Sequence, residues 1–273
     1  MFRKYYCLVS GLPNISLEDS KLSYGSEDFL HDMKEFIHEQ DFKLFRLFRY
    51  SVDNYNIYRL MADHDHEFVK GGNYDMDEID EILEDPVKAE DYIQKFIEEF
   101  RSEEFSEEAD EKRLRTLYYS YLINIKNDFL KKWFELELNL KNIFAALNAR
   151  KFSSEVEKEV VNANEVSEAL ISSSSRDFGL TGDLEYIEQA VTLFETEGLK
   201  KREKAIDQFK WEWLNTETFF EYFTVEKLIS YFIKLRIIER WVKLDPVTGK
   251  EFFENFIKEL EQTYKVPEEF ENV

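Results

Sequence analysis

No glycine occurs between Gly72 and Gly179, and prolines stand only at Pro13, Pro86, Pro246 and Pro267. Glycine and proline turn and break regular backbone, so a stretch this long without them, rich in Glu, Lys, Leu and Phe, has little alternative to helix. The predicted class is all-α: an elongated, multi-lobed helical scaffold with at least one long helix. Of the 273 residues, 43% are hydrophobic and 16% aromatic, which is ample core for one large domain or for two or three lobes.

The beginning departs from this pattern. "YYCLVSGLPNI" combines β-branched and aromatic residues with Gly11 and Pro13, and predicts a short strand or an extended arm packed on the helices. Ser26, followed by Glu27 and Asp28, marks a helix start, with Phe29, Met33, Phe36 and Ile37 at helical spacing. A second helical piece follows through Phe42, Phe45 and Phe48 towards Leu60. "DHDHEFVKGGNYDMDEIDE" then reads as an exposed acidic loop. Asp85 before Pro86 signals another helix start, with Tyr92, Ile93, Phe96, Ile97 and Phe100 as its apolar face. From Ser106 the periodicity continues to Arg150, which as one helix would span about 65 Å at about 1.5 Å per residue.

Shorter helices are expected over 154–161 and 164–171, before the polar loop "SSSSRDFGLTGD". Further helices are predicted over 183–195, 199–214 and 217–244, and a last one over 251–264 after the turn at Asp245, Pro246 and Gly249. The signals divide the chain into an N-terminal helical region at 1–84 with its acidic loop at 63–80, a long-helix lobe at 85–175, and a C-terminal helical lobe at 176–273.

The formal net charge of −22 repels a phosphate backbone and anionic lipid headgroups, so nucleic acid is not an expected partner; a basic protein face is. No window approaches the roughly 18 apolar residues of a spanning helix, so direct membrane insertion is not expected either. The apolar run behind Arg3 and Lys4 is too short for a signal peptide. Cys7 is the only cysteine, which excludes an internal disulfide framework and fits the cytoplasm.

The chain carries no glycine-rich phosphate loop, CxxC, HExxH or nucleophile elbow. No catalytic residue, cofactor or metal is therefore assigned. His64 and His66 flank Asp65, and would hold a metal only if a loop brought in a further ligand such as Asp63 or Glu67; a solvated polar loop is the plainer reading. Asn73, Asp75, Asp77, Glu81 and Glu84 fall near calcium-loop spacing, but Glu78 occupies the position that needs glycine. The pair Glu135 and Glu137 reads as a charged helix face. A carboxylate-dependent hydrolase would need several acids converging in a deep pocket.

Two stretches stand out as structural or interface candidates. In "FKWEWLNTETFFEYF", Trp211 and Trp213 face different directions on a helix, either one in a lobe core and the other at its edge or at an interface, or both in the core at a helix end. In "NLKNIFAALNARKF", residues Leu136, Leu140, Ile143, Phe144 and Leu147 form an apolar stripe, with Glu135, Asn139, Asn142 and Ala146 along its flank. Asparagine is a poor helix-interior residue, because its amide competes for backbone groups. Two of them beside a buried stripe predict amides that hold another segment's backbone, with Ala145, Ala146 and Ala149 allowing it close; the alternative is that they face water.

"NLKNIFAALNARKF" resembles a segment of the C-subunit family of V/A-type rotary ATPases, whose eukaryotic members are the d-subunits. Asn142, Ile143, Leu147 and Arg150 match the family pattern, while Asn139 stands where the family usually has a carboxylate. "YFIKLRIIERW", with Tyr231, Lys234 and Glu239, is similar to the family's later tyrosine-led helix. "YYCLVSGLPNI" is similar to the opening of an uncharacterised bacterial family encoded among the genes of V-type ATPases. The resemblance covers Tyr118 to Phe152 and the region from Leu228 onward, and the chain is shorter than typical members. It implies an all-helical, non-catalytic central-stalk subunit at the cytoplasmic face of the inner membrane, peripheral through its complex. Its partners would be the central-shaft subunits and the membrane rotor ring of a proton- or sodium-transporting enzyme. The different reading is an acidic helical adaptor or regulatory protein that binds a basic protein.

Overall fold

The computed structural model describes residues 3–62, 67–102 and 106–244. Among them thirteen α-helices and no strand are found, so the chain is all-α. In order these are α1 (Tyr6–Gly11), α2 (Ser26–Lys34), α3 (Glu39–Arg46), α4 (Tyr50–Ala62), α5 (Met76–Glu84), α6 (Asp91–Ser102), α7 (Glu107–Leu122), α8 (Asp128–Phe152), α9 (Val156–Glu159), α10 (Glu165–Ser172), α11 (Ile187–Glu195), α12 (Leu199–Glu217) and α13 (Val225–Leu244). The helix expected over 251–264, with the turn before it, lies outside the described residues, as do His64 and His66.

Two compact units result, and they are not consecutive in sequence. One is made of residues up to 39 together with those from 207 onward, and the other of residues 40–206. Each is organised around one helix that is buried on most of its sides, the pattern expected of a helix whose apolar residues are not confined to a stripe.

In the central unit that helix is α8. Phe129, Leu130, Trp133, Phe134, Leu136, Leu138, Leu140, Ile143, Ala146 and Ala149 are all buried, and α7, α9, α10 and α11 pack around it. Ala146 and Ala149 are almost fully buried, so these two methyl side chains sit where neighbouring segments come closest. Asn127 caps the start, its Oδ1 accepting from the Leu130 amide at 2.9 Å. Ser153 ends the helix at φ 57°, a left-handed residue that lets the Ser154 amide reach back to the Ala149 carbonyl at 2.9 Å.

In the terminal unit the buried helix is α13. Val225, Leu228 and Ile229, every residue from Ser230 to Leu235, and Ile237 and Ile238 are buried. Phe29 of α2 packs against Tyr231 and Phe232, with ring centroids 5.7 and 6.0 Å apart.

Several expectations are corrected. The run from Ser106 to Arg150 is two helices. No glycine or proline marks the break, but Asn124 turns its Nδ2 back to the Ser120 carbonyl at 2.7 Å, and Asn127 opens a new helix. The acidic loop ends early, because Asp75 and Glu78 form a reciprocal capping box at 2.9 Å in both directions and begin α5. Pro86 starts only a 3-10 turn over Pro86–Lys88, and the predicted apolar face is carried by α6 from Asp91. Where a strand or arm was expected, Tyr6–Gly11 is helical, and the extended conformation begins at Leu12. The helix expected over 217–244 begins only at Val225, since the chain turns at Thr218–Glu221 and bends on to Thr224.

Candidate functional site

The α8 flank uses its polar groups to hold the segment that follows it. Asn142 is fully buried; its Nδ2 donates to the Val161 carbonyl at 2.8 Å and its Oδ1 accepts the Val161 amide at 3.0 Å. One side chain thus replaces the two partners that a strand or helix would have given this residue. Three residues earlier, Asn139 donates to the Tyr186 hydroxyl at 3.0 Å and accepts from Asn164 Nδ2 at 2.8 Å. Burial pushes the Tyr186 phenol up to about 12, so it stays protonated. Two turns beyond Asn142, Arg150 donates to the carbonyls of Ser175 and Ser173 at 2.5 and 2.6 Å, and its guanidinium lies 3.7 Å from the centre of the Phe178 ring. Asn139, Asn142 and Arg150 therefore form one strip that binds the chain between Val161 and Tyr186 to α8.

The same device occurs a second time, at a residue that sequence reading does not single out. Asn56 of α4 is fully buried and holds both backbone groups of Val69, at 2.8 Å to the carbonyl and 2.9 Å from the amide. Beside it Asp53, also fully buried, accepts from the Asn73 amide and side chain and from the Tyr74 amide, at 2.7, 2.8 and 3.2 Å. Burial raises the Asp53 pKa, and these hydrogen bonds work against it. Gly72 is required here, because a Cβ on it would collide with Asp53 Oδ1. The readable signal is three polar residues, Asp53, Asn54 and Asn56, on a helix followed by the turn-forming "GGN".

In the terminal unit, Glu239 of α13 accepts the Ser26 amide and hydroxyl at 2.5 and 2.7 Å, and so caps α2 from a distance. Lys234 is buried beneath Trp211, its Nζ 5.1 Å from the ring centre and 2.6 Å from Asn215 Oδ1. Burial, with Lys227 nearby, lowers its pKa to about 8. Asp207, another buried carboxylate, accepts from Arg240 and from Trp241 Nε1. Trp213 is half-buried, and Tyr231 is buried against Phe29 with a hydroxyl that has no hydrogen-bond partner among the described residues.

Clefts among the described residues indent the central unit. One of about 270 Å³ is walled by Tyr55, Tyr58, Tyr118 and Tyr119 with Arg115 and Lys141. Another, about 280 Å³, holds Glu90 between Tyr50 and Tyr121, whose hydroxyls donate to it at 2.5 and 3.3 Å. There Arg46 lies over the Tyr50 and Tyr74 rings at 6.0 and 5.6 Å. Tyrosines dominate the first, whereas the second mixes two tyrosines with aliphatic and charged side chains, Lys43, Arg46 and Lys126 among them. Of the acids at calcium-loop spacing, Asp75 caps α5 and Glu81 pairs with Lys88 at 2.8 Å. Among the described residues no group of three metal-binding side chains gathers. Nor is any described helix long and apolar enough to cross a membrane.

A family model described as a protein of unknown function (DUF2764) matches residues 2–264. No curated protein and no solved structure matches the chain.

Proposed function

The chain belongs to the DUF2764 family, whose description assigns no activity, and from the sequence resemblance together with the helical architecture we propose that it is a non-catalytic helical scaffold, the central-stalk coupling subunit of a V/A-type rotary ATPase. The observation that carries this reading is the α8 strip. Asn142 and Arg150, two of the residues on which the rotary-ATPase resemblance rests, turn their polar atoms onto the backbone of Val161, Ser173 and Ser175 rather than into a cleft. Their role is to build a lobe. A lobe built this way transmits force through shape and charge without turning over a substrate. On this reading the protein sits at the cytoplasmic face, between the rotor shaft and the membrane ring.

Affinity purification from the native cell under gentle extraction, followed by mass spectrometry, tests the assignment. Recovery of ATPase head and stalk subunits is expected; their consistent absence overturns it. A second reading, an acidic adaptor for a basic protein, is favoured by the net charge of −22, and predicts recovery of a basic protein without ATPase subunits.

A further inference from the structure

The connection between α12 and α13 exposes aromatic side chains where burial would be the rule. Phe219, Phe220 and Tyr222 are 64, 78 and 59% exposed, and Tyr6 of α1 is 57% exposed. Tyr6 meets the end of this connection, 4.5 Å from the Phe223 ring, and the Tyr5 amide donates to the Phe223 carbonyl at 2.6 Å. The surface is firmly built. The Thr218 hydroxyl is buried and donates to the Leu214 carbonyl at 2.7 Å, and the amides of Phe219 and Glu221 close successive turns onto Thr216 and Thr218, each at 3.2 Å. Phe219 and Phe220 pack edge to face, with centroids 4.9 Å apart. Aromatic anchors held rigidly in water are what a protein partner uses as a hot spot, because little ordering remains to be done on binding.

The charge of the stretch that carries Phe219, Phe220 and Tyr222 favours one kind of occupant. Between Lys210 and Lys227 the chain carries Glu212, Glu217, Glu221 and Glu226 and no Lys, Arg or His. The aromatic residues are thus interleaved with acids over the whole of that stretch. We infer that this surface docks an amphipathic helix of a protein partner, one whose apolar face covers Phe219, Phe220 and Tyr222 and whose lysines or arginines meet the glutamates. Lipid is the poorer fit, because an acidic rim is repelled by anionic headgroups. The inference rests on the scaffold reading only in requiring a protein partner, and on no particular complex.

The probe is a fluorescent leucine–lysine amphipathic peptide, with its leucine–glutamate counterpart as control, titrated against the full chain by anisotropy. Binding of the lysine peptide alone is expected, weakening with salt. It should weaken by about tenfold or more in Phe219→Ser/Phe220→Ser, a pair whose exposure leaves the melting temperature near wild type. Equal binding by both peptides, no binding, or binding indifferent to the double substitution overturns the inference. So does capture by phosphatidylcholine vesicles in place of peptide, or self-association abolished by the same substitutions, which would name a membrane or a second copy as the occupant. None of these results bears on which ATPase components co-purify, so the two readings fail separately.

Discussion

Asn142 shows how much a single buried amide can hold. Replacing it with leucine keeps the branching of the side chain but strands the amide and carbonyl of Val161, both out of water. With a penalty of about 1–3 kcal/mol for each orphaned group, Asn142→Leu should cost about 2–6 kcal/mol in urea unfolding. An unchanged midpoint would show that the strip does not hold the lobe. Lys234 makes a different prediction. Its folded pKa, about 8, lies below the 10.5 of an unperturbed lysine, so between those values the unfolded chain binds more protons and stability rises with pH. The burden of the buried charge is present in full below pH 8 and is relieved above it. Lys234→Met should therefore gain less stability than wild type between about pH 8 and pH 10, measured by thermal melting at each pH. The polarity of these residues is visible in the sequence, and for Asn142 so is its place beside an apolar stripe. The identity of what each one holds is not, because Val161 and Asn215 lie 19 residues from their partners and carry no local signature.

At the scale of elements, helices are legible where apolar periodicity is strong, as in α6, and where a long apolar run carries no breaker, as in α8 and α13. Boundaries are lost where a polar side chain does the work of a breaker. Asn127 before Asp128, and Asp75 three residues before Glu78, are ordinary cap signals, masked because no glycine or proline stands beside them. Asn164 carries two duties of this kind: its Oδ1 caps α10 by accepting from the Ser167 amide at 3.0 Å, and its Nδ2 donates to Asn139. Asn164→Ala should cost more than the roughly 1 kcal/mol of a lost cap. In a double-mutant cycle with Asn139→Ala the two changes should fall short of additive by about 0.5 kcal/mol or more, since the second removes a bond already broken. Strict additivity would mean that the contact contributes nothing to stability.

Across the whole molecule, the excess of acids sets behaviour that no single contact explains. Self-repulsion at −22 opposes compactness, and salt screens it, with the Debye length falling from about 30 Å at 0.01 M to about 8 Å at 0.15 M. The melting temperature is expected to rise over that range of sodium chloride in a scanning fluorimetry series; a flat or falling curve would mean that the acids are already paired. Fold class and acidity are both plain in the sequence, but the grouping of the chain into units is not, because contacts between distant stretches leave no periodic trace. The carboxylate of Glu239 that caps α2 lies 213 residues from Ser26, and the terminal unit is assembled from both ends of the described chain. On the ribosome this imposes an order: the central unit has all its residues in hand once position 206 has emerged, while the Ser26 amide and hydroxyl at the start of α2 must wait for their acceptor until α13 follows.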